Sequence, residues 1–204
     1  VGDPHTFAAD VFRAVCAGLA DKAADLHLLV AADAPFGGWL EGEAFLACRR
    51  RQAEHGWCEV AARPTYGSEG VAGADGRPSA ACGGLRVGGS GEPGDHCWLF
   101  AEVVLLLDGD GRVEEWRART EAAAARLLQL GWKRSASVLV VVAAGRGDVP
   151  TDWADDLARL AAWNRPGLAD PVVLVLPGGG SVAVRAVDVK RDPAHTLTAV
   201  GGPG

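Results

Sequence analysis

Trp98-Leu99-Phe100-Ala101-Glu102-Val103-Val104-Leu105-Leu106 is an apolar run with a single acid at its centre. Its length and β-branched, aromatic content predict a buried strand, here placed over Cys97 to Leu107. A carboxylate inside such a strand needs a partner, because an unpaired buried charge costs several kcal/mol. Two positions on from Glu102, on the same strand face, stands Val104.

The pattern continues on both sides. Residues 113 to 130 carry Val113, Trp116, Thr120, Ala123, Leu127 and Leu130 on one helical face. Ser137 to Ala144 has no polar residue after Ser137, as expected of a strand buried on both faces. Upstream, a helix is predicted over 41 to 55, with Phe45, Cys48 and Gln52 on one side and Arg49, Arg50 and Arg51 largely on the other. Gly56 stops it, Trp57 to Arg63 reads as a strand, residues 67 to 82 as a loop, Leu85 to Val87 as a short strand and residues 88 to 94 as a turn. Asp108-Gly109-Asp110-Gly111 starts like a calcium loop but lacks the later ligands, so it reads as a turn.

At the N-terminus, Phe7, Val11, Val15, Leu19 and Ala23 recur every four residues and predict a helix over 6 to 24. Leu26 to Ala32 reads as a strand or the approach to one, before Pro35, Gly37 and Gly38 break the chain. At the C-terminal end a helix is predicted from Thr151 to Trp163, capped by Thr151 or Asp152. Val172 to Leu176 and Val182 to Val189 are two further strands joined across Gly178-Gly179-Gly180, and the last dozen residues read as frayed. No repeat or linker divides the 204 residues. The expectation is one α/β domain over 1–204, a mixed central sheet flanked by helices. Its core spans about 41–144, with an N-terminal helix and strand at 6–32 and a C-terminal helix and strands at 151–189.

A net charge of -6 argues against a surface that grips nucleic acid throughout, while leaving room for a local basic groove. Arginine far outnumbers lysine (Lys22, Lys133 and Lys190 only), which points to a high-GC bacterial genome. The five cysteines (16, 48, 58, 82 and 97) are odd in number and lack CxxC spacing. With Asp3 and Asp10 near the start and no apolar leader, the expectation is a cytoplasmic protein with free thiols and no membrane segment. Cys48, His55, Cys58, Cys82, His96 and Cys97 match no zinc spacing.

From Glu41 to Ala144 the order helix, strand, strand, long strand, helix, strand resembles the PD-(D/E)XK nuclease superfamily. So do the local stretches His55-Gly56-Trp57 and Tyr66-Gly67. The resemblance implies a restriction-endonuclease-like fold, with an Asp near the start of the second strand and Glu-x-Lys on the third. In that family the acids hold Mg²⁺ and the lysine orients or activates the attacking water. Glu102 falls on the acidic position of the third strand, but Val104 stands in the lysine position. The Asp position falls near Gly83-Gly84-Leu85-Arg86-Val87, which has no acid. Asp95 lies close by, in the turn before the third strand.

Two readings of these residues stay open. In one the motif is degraded, no cofactor is bound, and Glu102 pairs with an arginine, Arg86 first. The domain then binds a protein partner or a nucleic acid without cutting it. In the other it is an active Mg²⁺-dependent nuclease with a rearranged site. Glu102, Asp95 and Glu43 would be ligands, and Arg86 or Lys133 would supply charge. Glu41, like Glu43, is an early helix acid that could reach a metal or simply complement the helix dipole. Arg49, Arg50, Arg51, Arg117, Arg119, Lys133 and Arg134 are candidate phosphate contacts, diluted by Glu54, Glu114, Glu115 and Glu121. A third reading is an unrelated α/β scaffold subunit, with Trp39 and Trp132 among the seven tryptophans as contact anchors.

Overall fold

A computed structural model describes residues 4–69, 77, 83–89, 97–108, 112–130 and 135–190. Cys82, Asp95, His96, Trp132, Lys133 and Arg134 lie outside the described residues. So do most of the loop expected over 67–82, most of the turns over 88–94 and 108–111, and the last dozen residues.

Six strands form one mixed sheet: β1 (Glu59–Ala62), β2 (Leu85–Gly88), β3 (Trp98–Leu107), β4 (Ser135–Gly145), β5 (Val172–Val175) and β6 (Ser181–Asp188). Their order is β1-β2-β3-β4-β6-β5. β1, β2 and β3 run antiparallel, β3 and β4 parallel, and β4, β6 and β5 antiparallel again. β4 is central, and Val138 to Ala144 is buried on both faces, as its uninterrupted apolar sequence requires. β2 stops opposite Ala101. From Glu102 onward, β3 therefore pairs with β4 alone among the described strands.

Helices cover both faces. On one side, α1 (Pro4–Ala20), α2 (Ala23–Ala31) and α3 (Gly37–Arg51) bury Val11, Phe12, Leu19, Leu26, Leu40 and Cys48 against Leu85, Leu99 and Val140. On the other, α4 (Arg112–Leu128) buries Trp116, Ala123 and Leu127 against Phe100, Leu106 and Leu139. The parallel β3-α4-β4 unit is the crossover that such a strand pair demands.

The expected strands at 57–63, 85–87, 98–107 and 137–144 thus share one sheet, and the expected helices flank it. Four local expectations are corrected. Residues 26–32 are not a strand, since Ala23–Ala31 is α2. A strand would put Leu26, Leu28 and Val30 on one face, whereas Leu26 and Val30, four apart, are buried and Leu28 is 66% exposed. The helix expected over 41–55 spans Gly37–Arg51, and the one expected over 6–24 spans Pro4–Ala20, with Ala23 already in α2. The helix expected over 151–163 is three single turns: α5 (Val149–Asp152), α6 (Ala154–Leu157) and α7 (Ala161–Asn164). Trp153 (φ -105°) separates the first two, and Leu160 is extended before the third. The chain bends there so that Val149, Trp153, Leu157 and Leu160 all reach the second core. Asp148 is the residue before α5, and its N–H donates to the Asp152 carboxylate at 2.9 Å.

Candidate functional site

Glu102 sits where β2 ends and β3 loses its second neighbour, and it is only 4% exposed. Its side chain shares the face of Phe100 and Val104, toward α4. Arg126, in the last turns of α4, donates from Nε to Oε1 at 3.0 Å and from Nη2 to Oε2 at 3.1 Å. This is the bidentate fork that suits a carboxylate. The Tyr66 hydroxyl, from the 3-10 turn Tyr66–Glu69, donates to the same Oε1. Burial pushes the Tyr66 phenol well above its ordinary value, and its bond to Glu102 pushes the same way. Arg126 is held protonated above all by its bond to Glu102.

Glu41, on the first turns of α3, completes the cluster. Its carboxyl is raised above the ordinary range, first by burial and then by the neighbouring Glu102, while Arg63 and Arg126 pull it down. Arg63 holds a left-handed backbone (φ 47°) where β1 ends, and its N–H bonds the Gly84 carbonyl at 3.0 Å. Glu43, two residues beyond Glu41, is turned by about 200° on the helix and belongs to another face.

The expected pairing of Arg86 with Glu102 is corrected: the carboxylate's arginine is Arg126. Arg86 lies opposite Phe100, on the Glu102 face. Its guanidinium instead pairs with Glu59 and lies 5.2 Å from the Trp98 ring centroid. The described candidate phosphate contacts do not share one surface. Arg49, Arg50 and Arg51 end α3 on one side of the sheet, while Arg117 and Arg119 lie on α4 on the other. Arg119 is engaged by Glu115 and by the Leu105 carbonyl at 3.3 Å. Trp39 is half-buried and packs edge-on against Phe36.

Among the described residues the donor set does not fit Mg²⁺. Both Glu102 oxygens are taken by cationic or hydroxyl donors. A Cβ on Gly83, the first residue of the stretch 83–87 near which the Asp was expected, would lie 2.9 Å from Cε1 and the hydroxyl oxygen of Tyr66. The tyrosine fills the space into which a side chain at Gly83 would project. Among the described residues no group of three or more His, Cys, Asp or Glu side chains is placed to hold a metal ion.

Beyond this cluster the part of β3 with no described strand beside it opens on a groove of about 690 Å³ between Gly37 and Gly38 of α3 and Trp116, Arg119 and Arg126 of α4. Two α4 side chains cap that edge. Trp116 Nε1 donates to the Leu107 carbonyl at 2.8 Å, and Arg119 caps Leu105. A second groove of about 660 Å³ crosses the C-terminal ends of β3 and β4, and Asp33, Leu107 and Asp108 line both. In it Arg112 bridges Asp108 (2.6 Å) and Asp156 and lies 5.6 Å from the ring centroids of Trp116 and Trp153. Cys16 and Cys48 are buried free thiols, each pushed up to about 12 by burial, and are poor nucleophiles. No described helix is long and apolar enough to cross a membrane.

Comparison with known protein families, curated proteins and solved structures gives no match to this chain.

Proposed function

We propose that the chain is a restriction-endonuclease-like domain whose catalytic centre has been converted into a structural ion pair, and that it works as a binding module for a protein partner. The α3-β1-β2-β3-α4-β4 order supports the fold reading, with three antiparallel strands and a fourth parallel to the third. One observation carries the loss of catalysis: the acid at the metal-binding position spends both oxygens on Arg126 and Tyr66. Val104 in the lysine position leaves no side chain there to activate water.

A protein partner is favoured over nucleic acid by the charges. The basic residues are split between two faces, several are already paired, and the chain carries -6 overall. The grooves beside β3 are lined by tryptophan, glycine and both signs of charge, a mixture that suits a polypeptide surface better than a phosphate backbone.

The test is a nuclease assay on linear, circular and single-stranded DNA with Mg²⁺ or Mn²⁺, alongside Glu102→Ala. Absence of cleavage above the level of the Ala variant is expected. Robust cleavage that the substitution abolishes would overturn the reading and reinstate an active nuclease. Salt-sensitive retention of DNA, lost on charge reversal of Arg49, Arg50 and Arg51, would replace the protein partner with a nucleic acid.

A further inference from the structure

Among the described strands β5 is the outermost, bonded on one side to β6. Val172 and Leu174 pack against the α1–α3 core, while Val173 and Val175 project from the other face, 46% and 80% exposed. From Pro171 to Val184 there is no charged residue, although edge strands are commonly blunted with charge. Leu176 N–H bonds the Gly180 carbonyl at 3.1 Å across the hairpin. Residues 172, 174 and 176 therefore turn their backbone groups toward β6, and residues 171, 173, 175 and 177 turn theirs outward. The two outward ends are prolines, Pro171 and Pro177, which have no N–H. They lie at equal distances in sequence from Leu174.

We propose that β5 pairs with the β5 strand of a second copy of this chain, antiparallel about a two-fold axis at Leu174. In that register Val173 of each copy stands opposite Val175 of the other, and the outward N–H and C=O groups of both valines are satisfied. Pro171 meets Pro177 at each end, where the ladder stops and no donor is wanted. Shifting the axis to Val173 would set Val175 against a proline and lose part of that bonding. The contact is isologous, as a two-fold dimer requires. Beside Val173 lies a shallow groove of about 320 Å³, lined by Pro150, Leu157, Trp163, Pro171 and Ala183, onto which the other copy's Val175 folds. One short strand and one shallow groove fall below the roughly 800 Å² per partner of a standard interface. The two chains also repel through -6 each. The dimer is therefore weak, concentration-dependent and strengthened by salt. It goes beyond the binding-module reading and stands independently of it.

Sedimentation equilibrium of the full chain tests this from about 10 µM to about 1 mM, the range in which so small an interface associates. A dimer fraction that rises with concentration and with salt is expected. Val175→Lys should weaken it at least about tenfold, since it sets a charge in an apolar cross-strand pair. Leu128→Lys, at an exposed leucine on α4, should leave it unchanged. The register is read by oxidative cross-linking in a background with Cys58→Ser, Cys82→Ser and Cys97→Ser, which leaves only the buried Cys16 and Cys48. Leu174→Cys should give a disulfide-linked dimer, because its two copies face each other at about 4.5 Å between Cα atoms. Val173→Cys should not, since its copies are offset diagonally. A monomer throughout, an unaffected Val175→Lys variant, or cross-linking of Val173→Cys equal to that of Leu174→Cys would each overturn the proposal.

Discussion

Replacing Arg126 with methionine leaves the Glu102 carboxylate in the sheet with the Tyr66 hydroxyl as its remaining bonded partner. Breaking a fully buried pair in this way costs about 3–5 kcal/mol. Here the arginine side chain is 39% exposed, so water reaches part of the site and the cost falls to about 2–3 kcal/mol. Removing the acid with Glu102→Leu is milder. The arginine swings into solvent and only the tyrosine hydroxyl is stranded, for about 1 kcal/mol. The double variant should cost no more than Glu102→Leu alone, giving a coupling of about 2–3 kcal/mol. Urea unfolding followed by tryptophan fluorescence at neutral pH measures all four species. If Arg126→Met costs less than Glu102→Leu, or the two losses simply add, Glu102 is not held for the fold and the structural ion-pair account fails.

Two further perturbations probe the same cluster. Gly83→Ala places a Cβ 2.9 Å from the buried Tyr66 ring and should destabilise by about 1–3 kcal/mol in urea unfolding; a neutral result would mean that the tyrosine yields and the space beside Gly83 is open. Glu41 has a raised carboxyl in the fold, so the folded state favours its protonated form; this contribution is fully present below the ordinary value of 4.5 and is lost as pH rises through the raised one. Glu41→Gln should therefore stabilise the protein at pH above that window and lose its advantage toward pH 4, and a constant difference across the series would contradict the assignment.

The sheet was legible because its strands are long or chemically plain. The β3 run and the charge-free β4 admit few alternatives, and α4 repeats its apolar stripe for more than four turns. Residues 26–32 were not, because a short apolar run satisfies both periodicities until its neighbours are known. The pieces of 149–164 keep helical spacing across breaks that only packing creates. At the site, the need for a partner to Glu102 was readable, but its identity was not. Arg86 is nearer by strand adjacency, yet Glu59 and Trp98 draw its guanidinium away. Arg126 comes from 24 residues downstream and reaches back over the sheet. A hint existed in its position between Ala123 and Leu127, at the margin of the buried face of α4. Tyr66, the chain's one tyrosine, was visible only as part of a loop motif.

The most direct measurement of the central claim is Mn²⁺ binding by electron paramagnetic resonance, in which free ion gives a sharp signal that coordination to protein broadens away. With Glu102 closed by Arg126 and Tyr66, equimolar protein at neutral pH should leave the free Mn²⁺ signal unchanged, and Glu102→Ala should behave identically. Loss of the signal with the native chain, restored by Glu102→Ala, would show that the carboxylate serves a metal and not the fold.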